Sequence, residues 1–176
     1  MAETPGDIFR LVGRIALVTG ASGGLGRHFA LVLAKAGASV AVAARRVELL
    51  ADVAAEIAAA GGTAAAVALD VTDGAAIKAA FDDAEKILGP IDVLVNNAGV
   101  ALTKPALETD EADWDHVLDT NLKGAWMVAR EAARRMADAG NGGSIVNLGS
   151  IVAERVAGGL SAYAAPDLPV VQPVFL

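Results

Sequence analysis

The stretch TGASGGLG, Thr19 to Gly26, closes the apolar run RIALVTG (14–20) and opens the helical pattern GLGRHFALVLAKAGA (24–38). A strand run, a glycine-rich turn and a helix in that order let backbone N–H groups approach a pyrophosphate, with the positive end of the helix facing it. The same glycines could serve a bare connection, but their place directly after the first strand favours the ligand. The candidate contacts in this turn are Gly20, Ser22, Gly24, Leu25 and Gly26.

Outward from the turn, short apolar runs alternate with longer amphipathic ones. SVAVAA (39–44) reads as a second strand and VELLADVAAEIAAAGG (47–62) as a helix stopped by glycines. TAAAVALDV (63–71) reads as a third strand, although its alanines suit a helix equally. GAAIKAAFDDAEKILG (74–89) is a helix, IDVLVN (91–96) a strand, and a long helical stretch runs from Glu111 to Ala139 before SIVNLGS (144–150), a fifth strand. This alternation predicts an α/β domain with a doubly wound parallel sheet of the Rossmann-like kind. Leu25, Phe29, Val32 and Leu33 are expected on the inner face of the first helix, and Trp126 and Met127 in the core.

Composition narrows the function classes. The net charge of −7 and the lack of a basic stripe argue against a nucleic-acid partner. There is no cysteine, and His28 and His116 stand alone on their helices, so no metal site is expected. The start, MAETPGDIFR, is polar, and no apolar run reaches the roughly 18 residues that span a bilayer. The expectation is a soluble, cytoplasmic protein without a membrane partner.

The end of the second strand bears on the cofactor. NAD-binding domains place Asp or Glu about 20 residues past the glycines to hold the ribose 2′-OH. Here Ala43 and Ala44 are followed by Arg45 and Arg46, whose guanidiniums can grip a 2′-phosphate in bidentate fashion. The alternative is two solvated arginines at the start of a helix. The reading favours NADP over NAD.

With these residues in place the sequence resembles the single-domain branch of the short-chain dehydrogenase/reductase family. The resemblance rests on TGASGGLG, NNAG (Asn96–Gly99), TNLKG (Thr120–Gly124), and Ser150 followed by Tyr163. It implies that Asn121, Ser150 and Tyr163 are catalytic and that Asp70 contacts adenine. It implies further cofactor contacts at Val71, Asn97, Ala98 and Gly99, and a small-molecule carbonyl or alcohol substrate. Trp114, at a position where relatives often carry Trp, is assigned to packing. In such enzymes Tyr exchanges a proton with the substrate oxygen, Ser hydrogen-bonds that oxygen, and Asn bends its helix and holds a relay water. Relatives commonly dimerise through the helix that carries Asn121 and the one that begins near Tyr163.

The family pattern continues Tyr-x-x-x-Lys, but the residue four after Tyr163 is Asp167. A tyrosine titrates at about 10 unperturbed, and a neighbouring carboxylate pushes that upward, against its use as a base. Pro166, Pro169 and Pro173 oppose a helix there and favour an extended tail. The chain is thus expected to divide into a Rossmann domain at 1–165 and an atypical tail at 166–176, with the C-terminal strands and substrate lid of relatives missing. Two functions follow: an NADP-dependent alcohol/ketone oxidoreductase of weak or no activity, or a non-catalytic dinucleotide-binding module. A Rossmann domain for a different adenosine cofactor is a third, opposed by NNAG and the Ser150–Tyr163 spacing.

Overall fold

The computed structural model describes residues 9–155 and 157–166. Among these, five parallel strands form one sheet in the order β3-β2-β1-β4-β5. They are β1 (Ile15–Thr19), β2 (Ser39–Ala44), β3 (Thr63–Ala68), β4 (Val93–Asn96) and β5 (Ser144–Asn147). β1 is central. The chain winds outward through β2 to β3, then crosses to the other side of β1 to lay down β4 and β5. That reversal opens a crevice at the carboxyl ends of β1 and β4, where open α/β sheets bind ligands.

Alternation along the strands divides the core in two. Ala16, Val18, Val40 and Val42 face α1 (Gly24–Lys35) and α2 (Val47–Ala59), together with Leu50, Val53 and Ile57. Leu17, Ala41, Val67 and Leu94 face α3 (Gly74–Leu88) and α5 (Ala125–Asp138), together with Phe81, Ile77, Val128 and Met136. Both faces are covered, so the strands read as continuous apolar runs. The alanine-rich third run is a strand because six residues pair in register with β2, a pairing that outweighs its helical propensity. Arg135 on α5 straps the two helices of one layer together, donating to Glu85 and Asp82 of α3 at 2.6 Å each. No helix among the described residues is long and apolar enough to cross a membrane.

Several expectations are corrected. Leu25 is 64% exposed and Val32 50% exposed, while Gly26 and Ala30 form the buried face of α1. Small residues occupy that face because the helix packs close against the glycine turn. Trp126 is also outward, 58% exposed, with the Arg130 guanidinium carbon 5.5 Å from its ring centre; Met127 does pack against the core. The long helical stretch does run unbroken from Glu111 to Asp138, with a change of pitch inside it. It is α4 (Glu111–Leu118), a π-helical turn at Asp119–Gly124, and α5. After β5 come a 3₁₀ turn (Ile151–Ala153) and one helical turn, α6 (Ser161–Ala164), so the segment carrying Tyr163 does begin a helix. Pro166 follows it, buried; Asp167, Pro169 and Pro173 lie outside the described residues.

Phe81 has no exposed surface and is the largest fully buried side chain of the core. Phe81→Ala is expected to cost about 3–5 kcal/mol, read as a lowered urea midpoint with an unchanged slope.

Candidate functional site

β1 ends in a turn that only glycine can make. Gly20 lies at φ 67° and Gly24 at φ 53°, in the left-handed region. A Cβ on Gly20 would stand 2.9 Å from Asn97 Nδ2, and one on Gly26 would strike the Gly20 carbonyl oxygen. The turn is therefore pressed against the NNAG segment that follows β4.

One buried hydroxyl joins the two. Thr19 has no exposed surface, and its Oγ1 accepts from Asn97 N at 2.9 Å and Ala98 N at 2.8 Å. The same hydroxyl donates to Asn96 Oδ1 at 3.4 Å, and Asn97 Nδ2 donates to the Thr19 carbonyl at 2.9 Å. Asn96 Nδ2 in turn reaches the Ala125 carbonyl at 2.7 Å and Asn147 Oδ1 at 3.1 Å, tying in α5 and β5.

Two adjoining clefts open over this joint. The larger, about 310 Å³, brings together Gly20, Ser22, Arg45, Arg46, Asp70 and Val71. Ala98 and Gly99 also line it, with Thr120 of TNLKG and with Leu69 and Val100, which the sequence did not single out. Such apolar and main-chain linings carry no polar mark in the sequence, although proximity to NNAG and TNLKG points toward them. The smaller cleft, about 220 Å³, is lined by Leu25, Asn97 and Gly99 on one side and by Asn121 and Tyr163 on the other. Gly24 and Gly26 line neither; they shape the turn. Ser150 is also absent from both linings. Its Oγ accepts from Val152 N at 3.4 Å and caps the 3₁₀ turn, while its neighbour Gly149 reaches the smaller cleft.

Asn121 sits on the π turn and clamps the cleft wall. Its Oδ1 accepts from Val100 N and its Nδ2 donates to the Val100 carbonyl, each at 2.8 Å. Neither lysine near the segment stands with Tyr163: the Lys104 ammonium is held by Asp113, and Lys123 pairs with Asp119 at 3.2 Å.

The larger cleft combines two guanidiniums with one carboxylate. Arg45 and Arg46 are both exposed, and Arg46 Nη2 donates to Ser22 Oγ at 3.1 Å, which brings that guanidinium to the glycine turn. The first turn of α1 has neither an acidic residue nor a side-chain cap, so its N–H groups are left for a ligand. Asp70 titrates below the usual carboxylate range because the Thr72 amide and hydroxyl donate to it and Arg45 adds a positive charge nearby. The donor set fits a dinucleotide. Among the described residues no group of His, Asp or Glu is arranged to hold a metal ion.

The family described as short chain dehydrogenase has a model that matches residues 14–167. The D-threitol dehydrogenase of Mycolicibacterium smegmatis is 40% identical over 163 residues, covering 93% of this chain and 62% of that protein. The gluconate 5-dehydrogenase of Gluconobacter oxydans is 38% identical over 159 residues, 90% of this chain and 62% of that one. The chain thus spans about three fifths of the length of these relatives. Among solved structures, a short-chain type dehydrogenase/reductase from Mycobacterium marinum superposes with a TM-score of 0.92 at 38% identity, covering 96% of this chain and 69% of that one.

Replacing Thr19 with Val keeps the shape and removes the shared acceptor. We expect a loss of about 1–3 kcal/mol for each amide left without its partner, measured by chemical denaturation, with Thr19→Ser much milder.

Proposed function

Because this chain belongs to the short chain dehydrogenase family, we propose that it transfers a hydride between NADP(H) and a ketone or secondary alcohol. The observation that carries the cofactor choice is the pair of exposed guanidiniums, Arg45 and Arg46, at a strand end that has no carboxylate. They would hold a 2′-phosphate, with Ser22 Oγ beside it. Gly20 and the uncapped start of α1 would receive the pyrophosphate, and Asp70 and Val71 the adenine. The remaining assignments, Asn97, Ala98 and Gly99, line the path from the larger cleft to the smaller. When bound, the nicotinamide supplies the hydride chemistry.

The chain's own part is acid–base work and positioning. Tyr163 faces the same cleft as Asn121 and would give a proton to the carbonyl oxygen, or take one from the alcohol. Ser150 would steady that oxygen, which requires its hydroxyl to turn from its cap on Val152 toward the cleft. Asn121 commits one position of each polar atom to Val100; each atom keeps a second, and the relay water belongs there. Association of copies through the outward face of α5, where Trp126 is exposed, belongs to the same reading.

A second reading, a dinucleotide-binding module without turnover, rests on Asp167 standing where the family has Lys. Among the described residues no ammonium is paired with Tyr163.

Titration of the chain with NADPH and NADH should show tighter binding of NADPH, and Arg45→Asp should narrow or invert the preference; equal affinities would count against the assignment. Oxidation of NADPH is then followed with a panel of ketones that includes the keto forms of polyols and sugar acids. Turnover that falls at least about a hundredfold in Tyr163→Phe supports the oxidoreductase. Tight binding with no turnover supports the module.

A further inference from the structure

The turn after β3 holds an arrangement that the assignments above leave unused. Asp70 Oδ1 accepts twice from Thr72, from its N at 3.0 Å and from its Oγ1 at 2.8 Å. Two donors on one oxygen fix the rotation of the carboxylate. Among the described residues no hydrogen bond reaches the other oxygen, Oδ2, so its lone pairs remain for a ligand. Thr72 itself is exposed and does not line the cleft that Asp70 lines. Whatever it contributes to that cleft passes through Asp70.

The backbone of the turn has anchors of its own. Asp73 N donates to the Asp70 carbonyl at 3.2 Å, and the Asp73 side chain caps α3 through Ala75 N at 2.8 Å. Val71 is buried, and Gly124 of the π turn lies so close beneath it that a Cβ there would stand 2.9 Å from the Val71 carbonyl oxygen. Loss of the Thr72 hydroxyl should therefore leave Oδ1 on the Thr72 amide alone, loosening the rotation of the carboxylate, and leave the turn in place.

We propose that Thr72 is a positioning residue that holds Asp70 with Oδ2 turned to the base, so that the cleft selects a 6-amino purine over a 6-oxo purine. The inference rests on the reading of this cleft as a dinucleotide site. An ionised carboxylate only accepts. It meets the exocyclic amino group of adenine as a donor, whereas the carbonyl of hypoxanthine sets acceptor against acceptor. A carboxylate held only by the Thr72 amide can swing Oδ2 away from that clash and loses most of the discrimination.

The test compares binding of NADPH and its hypoxanthine counterpart to the full chain by fluorescence titration, for the parent, Thr72→Val, Thr72→Ala and Thr72→Ser. The parent should prefer NADPH by about tenfold or more, the scale of one hydrogen bond to a charged group. Val and Ala should bring that ratio within about threefold, with thermal midpoints close to the parent's. Ser, which keeps the hydroxyl, should restore it. A parent that binds both nucleotides equally overturns the proposal, as does a ratio unchanged in both Val and Ala; in either case the dinucleotide reading stands. A parent that binds neither nucleotide overturns that reading and the proposal with it.

Discussion

Thr19 lies at the end of the central strand with no surface exposed, and its hydroxyl accepts the amides of Asn97 and Ala98. A buried hydroxyl has a few hydrogen-bonding positions, and here they are filled by the segment that follows the neighbouring strand. The glycine turn after β1 and the NNAG turn after β4 therefore form one unit. Both clefts open over that unit, and its strength comes from burial, since amides left without their acceptor there would be costly.

The glycines act by the same logic of close approach. Gly26 lies where a side chain would strike the Gly20 carbonyl, and Gly124 where one would strike Val71. The first contact brings the start of α1 under the turn. The second seats the π turn against the turn after β3, which places Asn121 over Val100 and Thr120 at the larger cleft. Thr120 donates its hydroxyl to the His116 carbonyl at 3.0 Å, a local bond that accompanies the change of helical pitch.

Charge is distributed to match. The acid-poor start of α1, Arg45 and Arg46 bring positive charge to the larger cleft, while Asp70, near Arg45, supplies an acceptor in it. The overall charge is −7, so this basic spot is local. The strong ion pairs, those of Arg135 with Asp82, Glu85 and Glu131, lie away from the clefts and serve packing between α3 and α5.

The order of strands and helices was legible from periodicity, because runs such as RIALVTG and IDVLVN are short and apolar on both faces. The glycine turn, the arginine pair and the partners NNAG and TNLKG were legible as well, since their order and their places after the strands mark them. Other features depended on the fold. An alanine run has no face preference, and TAAAVA became a strand because β2 offered it a register. Leu25 and Trp126 look like core by type, but the helices rotate their small faces inward or turn these side chains to the surface. The hydroxyl of Thr19 is one among many in the sequence; only the meeting of β1 and β4, some 78 residues apart in the chain, shows what it holds. Residue types and spacing decided which chemistry is available, and the crossing of the chain over its central strand decided which of those groups share a cleft.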